Sequence, residues 1–397
     1  VRTWNFAFGV ALILFATRAA AWGSLGHQLI TELALRRVPP ESPVGQLLGR
    51  SPKLALRYAI TPDIDWKDFG QLADPQLEQL RHSFSGEEKA LHFFQIDAFL
   101  PNGDPTPEAV AALPTDPEYA HDVPAFEGLL KHNAGFLRSV GAREAADAVN
   151  PQPEAIARNG TLPFRVLQLR ALGVAAWRRG DFRAAALYWG TLAHYVGDGF
   201  QPFHATYLFN PGGIHRVYEE TILEAHAEGL GEREDPASQL WDTRRYAAEL
   251  DAGVRPEPPT GEVVGLKGLY AAIAVGLKHR DPLIRAFERA KQAHPGAMGR
   301  SAAAVTHSAH HPAFSKAVVA DFSASRISVP GAGDMTVLQS AERRIEQAAA
   351  RLAAIWAAAG AEALAGNPGA KAPGENAAFD VAYTIRNYPH PTYLTGR

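Results

Sequence analysis

Three histidines and two carboxylates fall within residues 194–219: His194, Asp198, His204, His215 and Glu219. His194 and Asp198 are four residues apart, as are His215 and Glu219, so on a helix each pair projects from one face. Imidazole with carboxylate is the donor set of zinc and neighbouring divalent ions, and a cluster this dense can hold more than one. The chemistry it points to is metal-assisted hydrolysis, in which ions acidify a water and take up charge building on the substrate's oxygens. The non-metal alternative for His194, Asp198 and His204 is a buried polar network closing a helix end. For His215 and Glu219 it is a solvated helix pair. Burying so many ionisable groups without a metal would be costly. Between His204 and His215 the loop from Ala205 to Ile214 must fold back, and Asn210-Pro-Gly-Gly213 supplies the freedom to do so.

The elements that must carry these residues are predominantly helical. An apolar-periodic stretch runs from Ser24 to Val38 and stops at Pro39-Pro40. Thr161-Leu-Pro163 opens a second helix, with Phe164, Leu167, Ala171 and Val174 at three- and four-residue steps. A turn at Arg178-Arg-Gly180-Asp181, with Asp181 as N-cap, leads into Phe182 to Val196. That segment is apolar nearly all round and reads as a buried central helix bearing His194. Its Gly190 and Thr191 are small, which would leave room for ions and a substrate. A last long helix spans about Val337 to Leu364, and Gly366-Asn-Pro-Gly-Ala-Lys-Ala-Pro-Gly374 reads as a linker before a loosely held tail. Strand signals are weak and short. The stretches 101–125 and 296–335 read as long loops or insertions. The expected domains are a leader over 1–21, one all-α domain over 22–365, and the tail over 366–397.

Residues 1–21 read as an export leader: Arg2, then an apolar run from Phe6 to Ala16, then Ala19-Ala20-Ala21 as a small-x-small cleavage site. No later segment reads as apolar enough to span a bilayer, so the mature protein is expected outside the cytoplasm, secreted or periplasmic. Cleavage after Ala21 would make Trp22 the first residue. Its amine and carbonyl oxygen could chelate an ion in a five-membered ring, with His27 five residues on; the alternative is a core tryptophan beside a capped helix. With no cysteine, thiolate sites and disulfides are excluded. The formal charge of -3 argues against a basic nucleic-acid-binding surface, though not against a metal centre that handles phosphates.

These residues resemble the zinc-dependent phospholipases C and the related single-strand-specific zinc nucleases. The matching pieces, in the family's order, are Trp22-Gly-x-x-Gly-His27, Pro62-Asp63, Leu91-His92-Phe-Phe, His194-x3-Asp198-x5-His204 and His215-x3-Glu219. The resemblance implies an all-α, multi-helix phospholipase C/nuclease-type fold, here with long insertions, and a site for three zinc ions. One ion would take Asp63, His92, His194 and Asp198. A second would take the amine and carbonyl of Trp22, with His27 and a bridging Asp198. The third would take His204, His215 and Glu219. Asp65, two residues from Asp63, competes for its place, as His82 does for that of His92, although only His92 has the Leu-His-aromatic context. Asp63 and Asp198 are the catalytic candidates, Asp63 (or Asp65) also as the base that orients the attacking water.

The implied substrate is a phosphodiester: a phospholipid head group, with transient membrane-surface contact and no stable protein partner implied, or a single-stranded nucleic acid. His215-x-x-Tyr-Glu219 and the lack of cysteine favour the phospholipase branch, whereas Gln201-Pro-Phe-His204 is closer to the nucleases. A non-catalytic zinc-holding protein that binds phosphate or lipid is the reading from another class. Trp66, Phe69 and Tyr207 are candidate substrate-contacting aromatics. His307, His310 and His311 read as a histidine-rich surface loop, His226 and His279 as surface or helix-face residues, and Asp242 as outside the site.

Overall fold

The structure, a computed structural model, describes residues 23–67, 72–141, 159–251, 264–295, 314–372 and 378–394. Trp22, Phe69, His307, His310 and His311 lie outside them. The chain is mostly helical: α1 (Gly23–Leu35), α2 (Pro52–Thr61), α3 (Pro75–Lys89), α4 (Pro107–Ala111), α5 (Tyr119–Ser139), α6 (Leu162–Arg178), α7 (Phe182–Asp198), α8 (Ile222–Gly229), α9 (Arg244–Asp251), α10 (Leu266–Ala293), α11 (Lys316–Ala324), α12 (Val337–Gly366) and α13 (Val381–Arg386). Two short antiparallel hairpins interrupt it, β1 (Glu234–Asp235) with β2 (Leu240–Trp241) and β3 (Arg326–Val329) with β4 (Gly333–Thr336).

Helix α7 is the central post, packed against α1, α2, α6 and α12. Pro163 sits in the first turn of α6, where a missing N–H is harmless, and the Asp181 carboxylate accepts from Ala184 N to start α7. Glycines let the helices approach closely. A Cβ on Gly173 would lie 2.2 Å from Trp189 Nε1, and one on Gly190 would lie 2.6 Å from Tyr58 Cβ. Gly190 and Thr191 therefore serve contact between helices and not a roomy pocket, Thr191 Oγ1 donating to Leu187 O. Helix α12 begins at a reciprocal capping box between Thr336 and Gln339 and is tied to α7 by Trp356 Nε1 donating to Trp189 O at 3.0 Å.

Several expectations need correction. The stretch 101–125 is no long loop: Thr106 caps α4 with Pro107 in its first turn, and α5 begins at Tyr119. Within 296–335, residues 316–324 form α11 and 326–336 carry the second hairpin. Helix α12 is long and apolar enough to cross a membrane, which was not expected, but most of its surface is buried against the other core helices. His279 is buried and bonded to Ser340 Oγ at 2.8 Å. The described tail, 378–394, is not loosely held: Thr384, Ile385, Tyr388 and Tyr393 are buried.

Candidate metal centre

The expected ligands lie on separate elements whose ends meet around the C-terminal half of α7. His27 comes from α1, and His194 and Asp198 from α7. Asp63 lies in a π-helical turn, Pro62–Trp66, that continues α2, and His92 ends the 3-10 turn Ala90–His92 after α3. His204 sits in the 3-10 turn Pro202–Ala205; His215 lies in the short helix Ile214–Arg216, and Glu219 in the π-helical turn Val217–Thr221 that follows. The wider π turn re-aims side chains, a device frequent at functional sites. The fold-back between His204 and His215 uses Gly212 at φ 65° and Gly213 at φ 88°, both left-handed.

These residues form three groups, each able to hold a metal ion: His27, His194 and Asp198; Asp63, His92 and His194; and, sharing no residue with those two, His204, His215 and Glu219. Zinc–nitrogen bonds of about 2.0–2.1 Å place tetrahedral ligand atoms about 3.3 Å apart. His194 Nε2 lies 2.9 Å from His92 Nδ1, and Asp198 Oδ2 lies 3.0 Å from His92 Nδ1 and 3.3 Å from His194 Nε2. Asp63 Oδ1 is 3.7 Å from both of those ring nitrogens. Asp198 Oδ1 faces His27 Nε2 at 3.4 Å and His204 Nδ1 at 3.8 Å, so its two oxygens reach different histidines. In the third group His204 Nε2 and His215 Nε2 are 3.0 Å apart, and Glu219 Oε2 is 2.7 Å from His215 Nε2.

The outward hydrogen bonds fix which nitrogen faces inward. His194 Nδ1 donates to Ala59 O at 2.9 Å, His204 Nδ1 to His92 O at 2.5 Å and His92 Nε2 to the Glu88 carboxylate at 3.0 Å. In the neutral rings the inner nitrogens are lone pairs, His194 Nε2 facing His92 Nδ1 and His204 Nε2 facing His215 Nε2, an arrangement a cation relieves. Both nitrogens of His27, Asp63 Oδ2 and Asp198 Oδ1 are buried without a hydrogen-bond partner. Each such group costs about 1–3 kcal/mol left unsatisfied. The donor set fits divalent metal on these grounds.

The electrostatics agree. Burial drives His27 down to about 4, with the charge of His194 adding to it, and burial likewise drives His204 and His215 to about 4. Burial would raise Asp198, but His194 and His204 hold it well below the ordinary carboxylate value. Asp63 falls to about 2 because Lys67 and the histidines outweigh its burial. Neutral imidazoles beside ionised aspartates are the forms that bind metal. His92 and Glu219 are the exceptions. Burial and Lys67 would lower His92, but its bonds with Asp198 and Glu88 raise it above the ordinary imidazole value, so an ion there would displace a proton. Glu219 is pushed by burial up to about 8 despite His204 and the 2.8 Å bond from Gln201 Nε2.

The structure separates the competing residues. Asp65 makes a two-pronged ion pair with Arg57, at 2.8 and 2.9 Å, and is in none of the three groups. His82 is exposed and paired with Glu78. Trp66 is fully buried, its Nε1 on Thr384 O, which removes it as a substrate platform; Tyr207 is half-buried. Asp242 is paired with exposed Arg244. Sequence reasoning missed Glu88 and Lys67, although each stands four residues from a ligand, and Phe209, 56% exposed with its ring 6.4 Å from that of His215.

The chain matches no family model, no curated protein and no solved structure.

Proposed function

We propose that the protein is a zinc-dependent phosphodiester hydrolase with a phospholipase C/nuclease-type fold, acting on phospholipid head groups. The supporting observation is the placement of Asp198, one oxygen of which lies 3.0 Å from His92 Nδ1 and the other 3.4 Å from His27 Nε2, histidines of different groups. Three ions are the expected number. The first would take Asp63, His92, His194 and Asp198, the second His27 and Asp198 with Trp22, and the third His204, His215 and Glu219. Ions held there would supply Lewis acidity toward a phosphoryl oxygen and acidify water.

The chain's own residues supply the rest. Asp63 Oδ2 has no hydrogen-bond partner and can take a proton from the attacking water. Lys67 Nζ, 2.5 Å from Asp63 Oδ1 and largely buried, adds a cation beside the Asp63, His92 and His194 group that favours an anionic phosphate there. Exposed Phe209 beside His215 offers an apolar edge to the substrate. The proposal includes export with cleavage after Ala21.

The test is elemental analysis and N-terminal sequencing, followed by p-nitrophenol release from a phosphorylcholine ester and digestion of single-stranded DNA. Ester cleavage that is lost on chelation, with Trp22 at the N-terminus, is expected. Digestion of DNA alone would move the substrate to nucleic acid. Inactivity on both with metal loaded would make the protein a binding module, and a metal-free protein would sink the reading.

A further inference from the structure

Glu88 is a fully buried carboxylate that accepts from four donors. His92 Nε2 lies 3.0 Å from Oε1, which Tyr195 also reaches with its hydroxyl. Tyr388 OH donates to Oε2 at 2.9 Å, and Arg165 Nη2 lies 3.4 Å from the same oxygen. An ionised carboxylate only accepts, so the proton between Glu88 and His92 belongs to Nε2. In the neutral ring that leaves Nδ1 as the lone pair facing Asp63, His194 and Asp198.

Two of the groups that hold Glu88 depend on residues 378–394. Tyr388 belongs to that segment. Arg165, fully buried, donates to the carbonyl of Pro389 and lies 5.2 Å from the centre of the Tyr388 ring. The neighbouring Gln168 bonds His390 O. The segment is docked through Trp66 Nε1 on Thr384 O at 3.2 Å, the Phe84 ring stacked on Tyr388 at 3.8 Å, and the Tyr393 hydroxyl on Thr161 at 3.1 Å.

We infer that the C-terminal segment is part of the metal centre: Tyr388 and Arg165 hold Glu88, and Glu88 fixes His92 as an Nδ1 ligand. This rests on the metal-centre reading above. Glu88, Arg165 and Tyr388 are positioning residues, acting on the ion through His92. A carboxylate behind a ligating imidazole sets its tautomer, orientation and basicity, and losing it typically weakens metal binding about 10–100-fold. The competing explanation is that residues 378–394 only fill an aromatic corner of the core, in which case the Tyr388 hydroxyl is dispensable.

The test compares the full chain with Glu88→Gln, Tyr388→Phe and Tyr393→Phe. The last removes a hydroxyl from the same segment that makes no hydrogen bond to Glu88. Zinc affinity is read by competition with a chromophoric chelator, ligand geometry from the visible spectrum of the cobalt(II) form, and packing from melting of the metal-free proteins. Glu88→Gln is expected to weaken one ion by about 10–100-fold and to change the cobalt spectrum. Tyr388→Phe should shift both in the same direction by a smaller factor, and Tyr393→Phe should leave both unchanged. Wild-type affinity and spectrum in Glu88→Gln and Tyr388→Phe would overturn the inference while the metal centre stands. Should Glu88→Gln not fold, the contrast between the two tyrosine variants decides. A wild-type chain that takes up no zinc would remove the metal centre and this inference together.

Discussion

The imidazole of His27 lies face to face with that of His194, ring centroids 3.9 Å apart and planes 23° from parallel. Its Nε2 points toward Asp198, and its Nδ1 points toward the backbone of α7 at Gly197, where a Cβ would lie 2.8 Å away. The stacked ring on one side and the helix on the other leave His27 one orientation. Gly197 therefore sets the orientation of a candidate ligand without being one.

Gly197→Ala tests this. Alanine favours a helix interior by about 1 kcal/mol over glycine, but its methyl group must displace the His27 ring. We expect a folded protein that loses the ion of the His27 group and retains that of His204, His215 and Glu219. Metal content per chain measures it, and an unchanged count would show that His27 adjusts without leaving its ligand position.

Asp63 and Asp65 stand two residues apart and should behave differently. Asp63→Asn removes both a ligand and the proposed proton acceptor, so turnover should fall about 10²–10⁴-fold. Asp65→Asn leaves the Arg57 pair broken and the metal untouched. It should cost about 1–3 kcal/mol of stability, the range for a buried polar group that loses its partner. Metal analysis, turnover and urea unfolding on both variants separate the two roles; metal loss in Asp65→Asn would reverse the assignment.

The candidate ligands came forward in two ways: His194 with Asp198 and His215 with Glu219 are i, i+4 pairs whose chemistry is written locally, whereas Asp63 and His92 stood out only through the family resemblance. The supporting residues were not. Glu88 and Lys67 also stand four residues from ligands, but an exposed helix carries many such pairs, and only burial distinguishes these. His279 could not be recognised as buried because its partner, Ser340, lies 61 residues further along the chain. The Gly- and Pro-rich run 366–374 looks the same whether the following segment floats or docks. What docks it is a set of side chains on α3, α6 and the Asp63 turn: Phe84, Arg165 and Trp66. The helices within 101–125 did carry a local signal, Thr106 before Pro107, which the surrounding turn-forming residues obscured.

Glu219 gives metal uptake a pH dependence. Burial raises its pKa to about 8, so below that pH the metal-free site holds a proton that the ion must expel. Affinity at the His204–His215–Glu219 group should fall about tenfold per pH unit below 8 and level off above it. The two histidines, at about 4, steepen the fall only in strong acid. Calorimetry in two buffers of different ionisation enthalpy should show one proton released per ion at pH 7. A pH-independent affinity between 6 and 8 would contradict it.

Glu224 is not a ligand, and its titration should appear in stability instead. Burial raises its pKa from 4.5 to about 8; neighbouring Glu220, itself raised to about 7, adds to the effect, and Arg216 opposes it. The folded pKa lies above the unfolded one, so the folded state binds the extra proton between about 4.5 and 8. The resulting stability is complete below 4.5 and lost as pH rises through 8. Glu224→Gln mimics the protonated form at every pH. It should melt near the wild-type temperature at pH 5 and above it at pH 8.5, by roughly 2 °C for each kcal/mol recovered in a chain of this size. Melting curves of metal-loaded protein at the two pH values measure the difference. A gap that is constant with pH would mean that Glu224 is ionised throughout, with Arg216 overcoming its burial.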